Sequence, residues 1–291
     1  MESILEVCVD SLVSVRAAVA GGADRIELCA ALAVGGLTPY AELLRQIRAE
    51  SGIPVRCLMR PRGGDFLYEK EEILMMAAQM EELRKLGADG FVIGCLNPEG
   101  ELDGKAMEPL LKAAEGTGLT LHRCIDVSRD PARTYLAAKE LGFDTVLTSG
   151  AAGSCTLGAE TIGKLLALRD EQAGPEVLVG GGVKASVIAD FKKRFPGIRA
   201  FHMSGKTEIE SGMRFRREGV PMGLPGLDEW HIQQTGAENV RAATGLWMSE
   251  SDYDKRGCCK NCNSPYNNFT NYAVSICKPG RFIHLAFAQV R

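Results

Sequence analysis

Thiols, imidazoles, guanidiniums and carboxylates recur in this sequence at the ends of short apolar runs, where a strand hands its last side chains to a pocket. Glu6 and Cys8, Glu27 and Cys29, His122 and Cys124, and His202 and Ser204 each stand two residues apart. On an extended strand such pairs share one face. Thiol and imidazole together suit a soft or borderline cation, because cysteine sulfur selects Cu(I) and Zn(II) where carboxylates alone suit magnesium or calcium. Cys8 and Cys29 are the best-matched pair. Neighbouring parallel strands lie about 4.8 Å apart, and at equivalent positions on them two thiols can hold Cu(I). Cys124 and His202 are further candidates for the same ion. Beside this stands a plainer reading, in which each cysteine is a small buried hydrophobe with a weak donor.

Residues 60–66 read Arg-Pro-Arg-Gly-Gly-Asp-Phe directly after the apolar run that ends at Met59. Pro61 pushes Arg60 into extended backbone, and two glycines let the chain turn sharply or approach a ligand closely. Arg60 and Arg62, with the glycine turn Gly180, Gly181 and Gly182 and with Ser204, are candidates to hold a small anion; the alternative is that Arg60 or Arg62 only pairs with Asp65. Glu6 and Glu27 need cationic partners if they face inward, and Arg60, Arg62 or Arg123 can supply them. Those carboxylates, with His122, Asp126 and His202, are either a structural ion-pair network or the acid and base groups of an enzyme.

The elements that must position these groups are legible as alternating short strands and amphipathic helices. Strand candidates are Ile4–Val9, Asp24–Leu28, Pro54–Arg60, Asp89–Gly94, Leu119–Arg123, Asp144–Ser149, Glu176–Gly180 and Arg199–Ser204. Helices between them open on Asp10-Ser11, Thr38-Pro39 or Asp130-Pro131, and the exit Gly-Ala-Asp recurs at 22–24 and 87–89. Eight such units, with no Gly-x-Gly-x-x-Gly turn after the first strand, predict an α/β protein of the closed (β/α)8 TIM type and no nucleotide cofactor. Asp228–Leu246 is expected to supply the last helix, so that residues 1–248 form the barrel. The remainder, 249–291, is rich in Asn and Cys and reads as a poorly ordered appendage. Its Cys258, Cys259 and Cys262 have zinc-knuckle spacing, with Cys277 and His284 as further ligands.

Of the 291 residues 45% are hydrophobic and 24% charged, enough for a substantial core, and the formal net charge of −3 gives no case for nucleic acid. No apolar run reaches the roughly 20 residues of a membrane span, and the N-terminus lacks the pattern of a secretory signal, so the expected location is the cytoplasm. Seven of the ten cysteines stand alone, which suits reduced thiols.

Taken together, Glu6-Val-Cys-Val-Asp-Ser11, Gly22-Ala-Asp-Arg-Ile-Glu-Leu-Cys29, Gly35-Gly-Leu-Thr-Pro39, the Arg60–Tyr68 segment, His122-Arg-Cys-Ile-Asp126, Leu147-Thr-Ser-Gly150, Gly180-Gly-Gly182 and Phe201-His-Met-Ser204 closely resemble the CutC family of copper-homeostasis proteins. The resemblance implies a cytoplasmic barrel, self-associating as a dimer or tetramer, that binds copper at the C-terminal mouth. It places a Cu(I) ligand at Cys29, and Cys8 matches as well. Where the family commonly reads His-Arg-Ala-Phe-Asp, this chain has Cys124 and Ile125, which adds a thiol near the mouth. The leading expectation is therefore a Cu(I)-binding protein, and its rival is an enzyme acting on a small anionic metabolite.

Overall fold

The computed structural model describes residues 3–246, apart from 218, 221, 224, 225 and 227. Eight parallel strands close into a ring: β1 (Ile4–Val9), β2 (Arg25–Leu28), β3 (Val55–Leu58), β4 (Gly90–Ile93), β5 (Gly118–Leu121), β6 (Thr145–Thr148), β7 (Glu176–Val179) and β8 (Ala200–Met203). Helices α1 (Leu12–Ala20), α2 (Ala41–Glu50), α3 (Lys70–Lys85), α4 (Gly104–Ala113), α5 (Pro131–Glu140), α6 (Ala159–Gln172), α7 (Ala185–Arg194) and α8 (Ala237–Thr244) accompany them. This is the (β/α)8 barrel expected, each strand lying within two residues of its predicted bounds.

The repeated exit motif has a structural job. Gly22, Gly87 and Gly142 adopt φ of +87°, +94° and +82°, the left-handed region that ends a helix cheaply only with glycine. Two residues on, an aspartate reaches back to the preceding strand. Asp24 accepts the Leu5 N–H at 2.8 Å, Asp89 the Val55 N–H at 2.7 Å and Asp144 the Leu119 N–H at 2.8 Å. Each carboxylate thus pins the start of one strand to the start of the next. The helix openings follow the sequence signals too: Ser11 caps α1 through the Ser14 N–H, and Asp130 caps α5 through the N–H groups of Ala132 and Arg133.

The last unit departs from expectation. Of the span 228–246 only Ala237–Thr244 is helical; His231–Thr235 forms β10, antiparallel to β9 (Lys206–Glu210). Five consecutive cross-strand partners outweigh whatever helical preference the segment has. This arm leaves Ile209, Met213, Phe215 and Ile232 exposed. Beyond it α8 packs on α1 closely enough that a Cβ at Gly21 would lie 2.5 Å from the Val240 Cβ. Thr235 N donates to Ser14 Oγ, and Thr244 Oγ1 to the Gly21 carbonyl, so the two ends of the barrel are laced together. No helix among the described residues is long and apolar enough to cross a membrane. The appendage read at 249–291, with Cys258, Cys259, Cys262, Cys277 and His284, lies outside the described residues.

Candidate functional site

Glu6 sits on the seam where β1 meets both β2 and β8, and the registers set it beside Arg25 and His202. Its fully buried carboxylate accepts from Arg25 Nε at 2.5 Å and from His202 Nδ1 at 2.8 Å. Burial works against charge on Glu6, but Arg25 and then His202 outweigh it and hold the carboxyl at about 2. With Nδ1 engaged, the other His202 nitrogen, Nε2, lies 3.6 Å from the Glu27 carboxylate. Burial disfavours an imidazolium here, yet Cys8, Glu27 and the Glu6 hydrogen bond push the ring's pKa well above its ordinary value. Glu27 itself is raised, chiefly by burial, with His202 opposing.

The Cys8 sulfur, a Glu27 oxygen and a His202 nitrogen all lie within 4.8 Å of one another. Among the described residues this is the one group of three such side chains close enough to share an ion. Cys29 is not directly across from Cys8 as the sequence suggested. The stagger of a closed barrel sets Cys8 against Glu27 instead, and Cys29 comes two residues further along β2's path. Its thiol donates to Glu27 Oε2 at 3.5 Å, and it shares a buried cluster with Cys8, Leu58 and Val92. Burial first, and Glu27 next, push that thiol well up, so it is protonated as it stands. Gly36 shapes the pocket: a Cβ there would lie 2.8 Å from Leu58 Cδ2 and 3.5 Å from Cys29 Sγ.

Cys8, Glu27 and His202 line one side of a cavity of about 530 Å³ at the barrel mouth; Arg60, Phe66 and His122 line another. Arg60 follows β3, its N–H held by Thr38 Oγ1. Its Nη atoms donate to the carbonyls of Val34, Gly36 and Gly64, and its guanidinium lies 5.4 Å above the Phe66 ring. The side chain is buried, its Nε has no partner, and no carboxylate among the described residues pairs with it. His122 Nδ1 accepts the Cys124 N–H at 3.2 Å, which puts the ring proton on Nε2, a buried donor without a partner. Burial, then Arg60, drives the His122 pKa down to about 3, so the ring is neutral. The Phe66 ring packs against it, centroids 4.7 Å apart. Gly181, Gly182 and Ser204 also border the cavity.

Several predicted site residues are engaged elsewhere. Arg62 is not in the cavity wall; it is captured on its own loop by Asp65, Glu72 and the Leu67 carbonyl. Neither it nor Arg60 or Arg123 pairs with Glu6, whose partners are Arg25 and His202. Arg123 binds Asp126 and Ser149. Asp126 borders the cavity, yet its oxygens also accept from Thr148 Oγ1 and from the N–H groups of Ser149 and Ala151, bracing the β6 loop. Cys124 is buried under His122 and outside the Cys8 group; a Cβ on Gly94 would come 2.5 Å from its sulfur. Gly180 does not line the cavity, and a side chain there would come 2.7 Å from Leu147 Cδ1. Arg25 and Phe66 are the residues the sequence reading passed over. The parity that selected Glu27 and Cys29 also selects Arg25, whereas nothing in the sequence pattern singles out Phe66.

The model of the CutC family matches residues 3–207. The chain belongs to the CutC family. Relatives described as family protein CutC agree: that of Bacteroides thetaiotaomicron is 41% identical over 238 residues, 81% of this chain and 94% of its own length. That of Porphyromonas gingivalis strain W83 is 40% identical over 243 residues, 83% and 97% of the two chains. A crystal structure from Streptococcus agalactiae, named for a copper homeostasis protein CutC, superposes with a TM-score of 0.65 at 29% identity, covering 69% of this chain and 98% of that one. KGPDC from Streptococcus mutans, at TM-score 0.50 and 17% identity over 84% of this chain and 97% of its own, is similar in fold alone.

Proposed function

We propose that this CutC-family chain takes up a thiophilic metal ion, Cu(I), as cargo at the mouth of the barrel. Cys8, Cys29 and His202 Nε2 bind it; ligation requires thiolates and a neutral imidazole, and the protons released pass to Glu27 and to solvent. The observation that carries this is the convergence of Cys8, Glu27 and His202 within 4.8 Å, with Glu6 bound to the far side of the imidazole. A carboxylate behind a histidine fixes the ring's tautomer and aim, the usual arrangement behind ligating histidines. Two sulfurs and an imidazole suit a soft ion that carboxylates alone would not retain. The name of the Streptococcus agalactiae relative points the same way.

Cys8, Cys29, Cys57, Cys95, Cys124 and Cys155 are all free, which suits a reducing compartment such as the cytoplasm. The apolar side chains of the β9–β10 arm support self-association, dimer or tetramer, which sedimentation velocity reads directly. The deciding experiment is an anaerobic Cu(I) titration against a competing chromophoric chelator. One ion per chain is expected, and the Cys8→Ser plus Cys29→Ser variant is expected to lose it. Undiminished affinity in that folded double variant removes the proposal.

A further inference from the structure

We propose a second site in the same mouth, in which Arg60 and His122 bind the oxyanion head, phosphate or carboxylate, of a small molecule. Every polar atom these two side chains leave unused is a donor. Arg60 Nε and His122 Nε2 are buried, and neither has a partner among the described residues. An unmet buried donor is costly, and a buried cation without a counter-charge more so. Arg25 Nη2 is also a buried donor without a partner, but the other guanidiniums buried to a similar depth each have a carboxylate counter-charge. Arg25 meets Glu6, Arg56 meets Asp144, and Arg169 meets Asp170 and Glu176. Arg60 has three backbone carbonyls and no carboxylate, so its charge lies in the cavity wall without a counter-charge.

His122 is suited to the same task. Its Nδ1 is committed to the Cys124 N–H, so the nitrogen on the other side of the ring presents a fixed N–H. Gly94 keeps the ring and the Cys124 sulfur in place, since a Cβ there would lie 2.8 Å from His122 Cε1. Gly181, Gly182, Ser204 and Lys206 add donors at the cavity's rim. Both orphaned nitrogens are closed to solvent, and the Phe66 ring rests against both side chains. The anion reaches them when that ring turns aside. The cavity, at about 530 Å³, has the size of a metabolite pocket. The site does not depend on Cu(I) binding, since it uses none of the side chains assigned to the metal.

The test is nitrogen NMR of the full chain, following the His122 imidazole while inorganic phosphate or acetate is added, with chloride as the ionic-strength control. A saturable shift of the Nε2 resonance is expected. Saturation by phosphate alone identifies a phosphoryl ligand, and by acetate alone a carboxylate. His122→Asn keeps an acceptor for the Cys124 N–H but has no donor at the Nε2 position, and is expected to weaken anion binding, read for the parent and the variants by isothermal titration calorimetry, about tenfold or more, with Cu(I) uptake unchanged. Arg60→Lys is expected to do the same; should it fail to fold, His122→Asn decides. No saturable shift with either anion, or equal affinity in folded His122→Asn, overturns the site.

Discussion

Exchanging Glu6 for glutamine distinguishes a seam held by charge from one that is merely filled. The side chain keeps its shape and loses the charge that Arg25 and His202 share at 2.5 and 2.8 Å in a fully buried place. Removing one partner of a buried ion pair costs about 3–5 kcal/mol. In a domain of this size each kcal/mol shifts Tm by roughly 2–4 °C, so the variant is expected to melt about 6–20 °C below the parent. The amide oxygen still accepts from one of the two cations, which favours the lower part of that range. Cu(I) affinity falls as a separate effect, because losing the carboxylate behind a ligating histidine typically costs roughly 10–100-fold. Thermal unfolding at neutral pH and chelator competition read the two quantities on the same preparations. A Tm within a degree of the parent, with unchanged Cu(I) affinity, refutes both the charge balance and the role given to His202.

Three further outcomes are expected. Gly94→Ala forces a methyl to 2.5 Å from Cys124 Sγ, and this overpacking costs about 1–3 kcal/mol, read from the denaturation midpoint. Asp89→Ala strips the acceptor from the Val55 N–H and breaks the pair with Arg48; about 1–3 kcal/mol is lost, and the Val55 amide exchanges faster with solvent. His122, neutral in the fold with a pKa of about 3, takes up its proton near 6.5 when unfolded, so between those values the unfolded chain binds more protons. Its stabilising contribution is full above about pH 6.5 and is lost at roughly 1.4 kcal/mol per pH unit as the pH falls toward 3. Parent stability is therefore expected to decline relative to His122→Asn on acidification; a constant difference between the two contradicts the assignment.

The strands were legible because each is a short apolar run, three of them entered through Gly-x-Asp, a signal contained within a few residues. Register was not, since the stagger of β1 against β2 depends on the closure of the whole ring; hence Cys8 faces Glu27 where Cys29 was expected. The arm at 206–210 and 231–235 was missed for a related reason. Its stability lies in pairing across a long, Gly- and Pro-containing connection, while its composition taken alone is ambiguous. Arg62 was assigned to the pocket by proximity to Arg60, yet Asp65 and Glu72 lie close enough along the chain to capture it first. Arg25 shares the face of Glu27 and was within reach of the same alternation argument. The contact of Phe66 with both Arg60 and His122 joins two loops, and only coordinates reveal it.

The order of synthesis gives the seam a further consequence. His202 leaves the ribosome 196 residues after Glu6, a delay of roughly 10–40 s at ordinary translation rates. For that interval Cys8 and Cys29 have been made without the imidazole that completes their group, and Glu6 lacks one of its two cations. Chains that stop short of β8 therefore carry bare thiols and an unfinished group, so under the proposed Cu(I) role competence to capture the ion is acquired only when the final strand locks the ring.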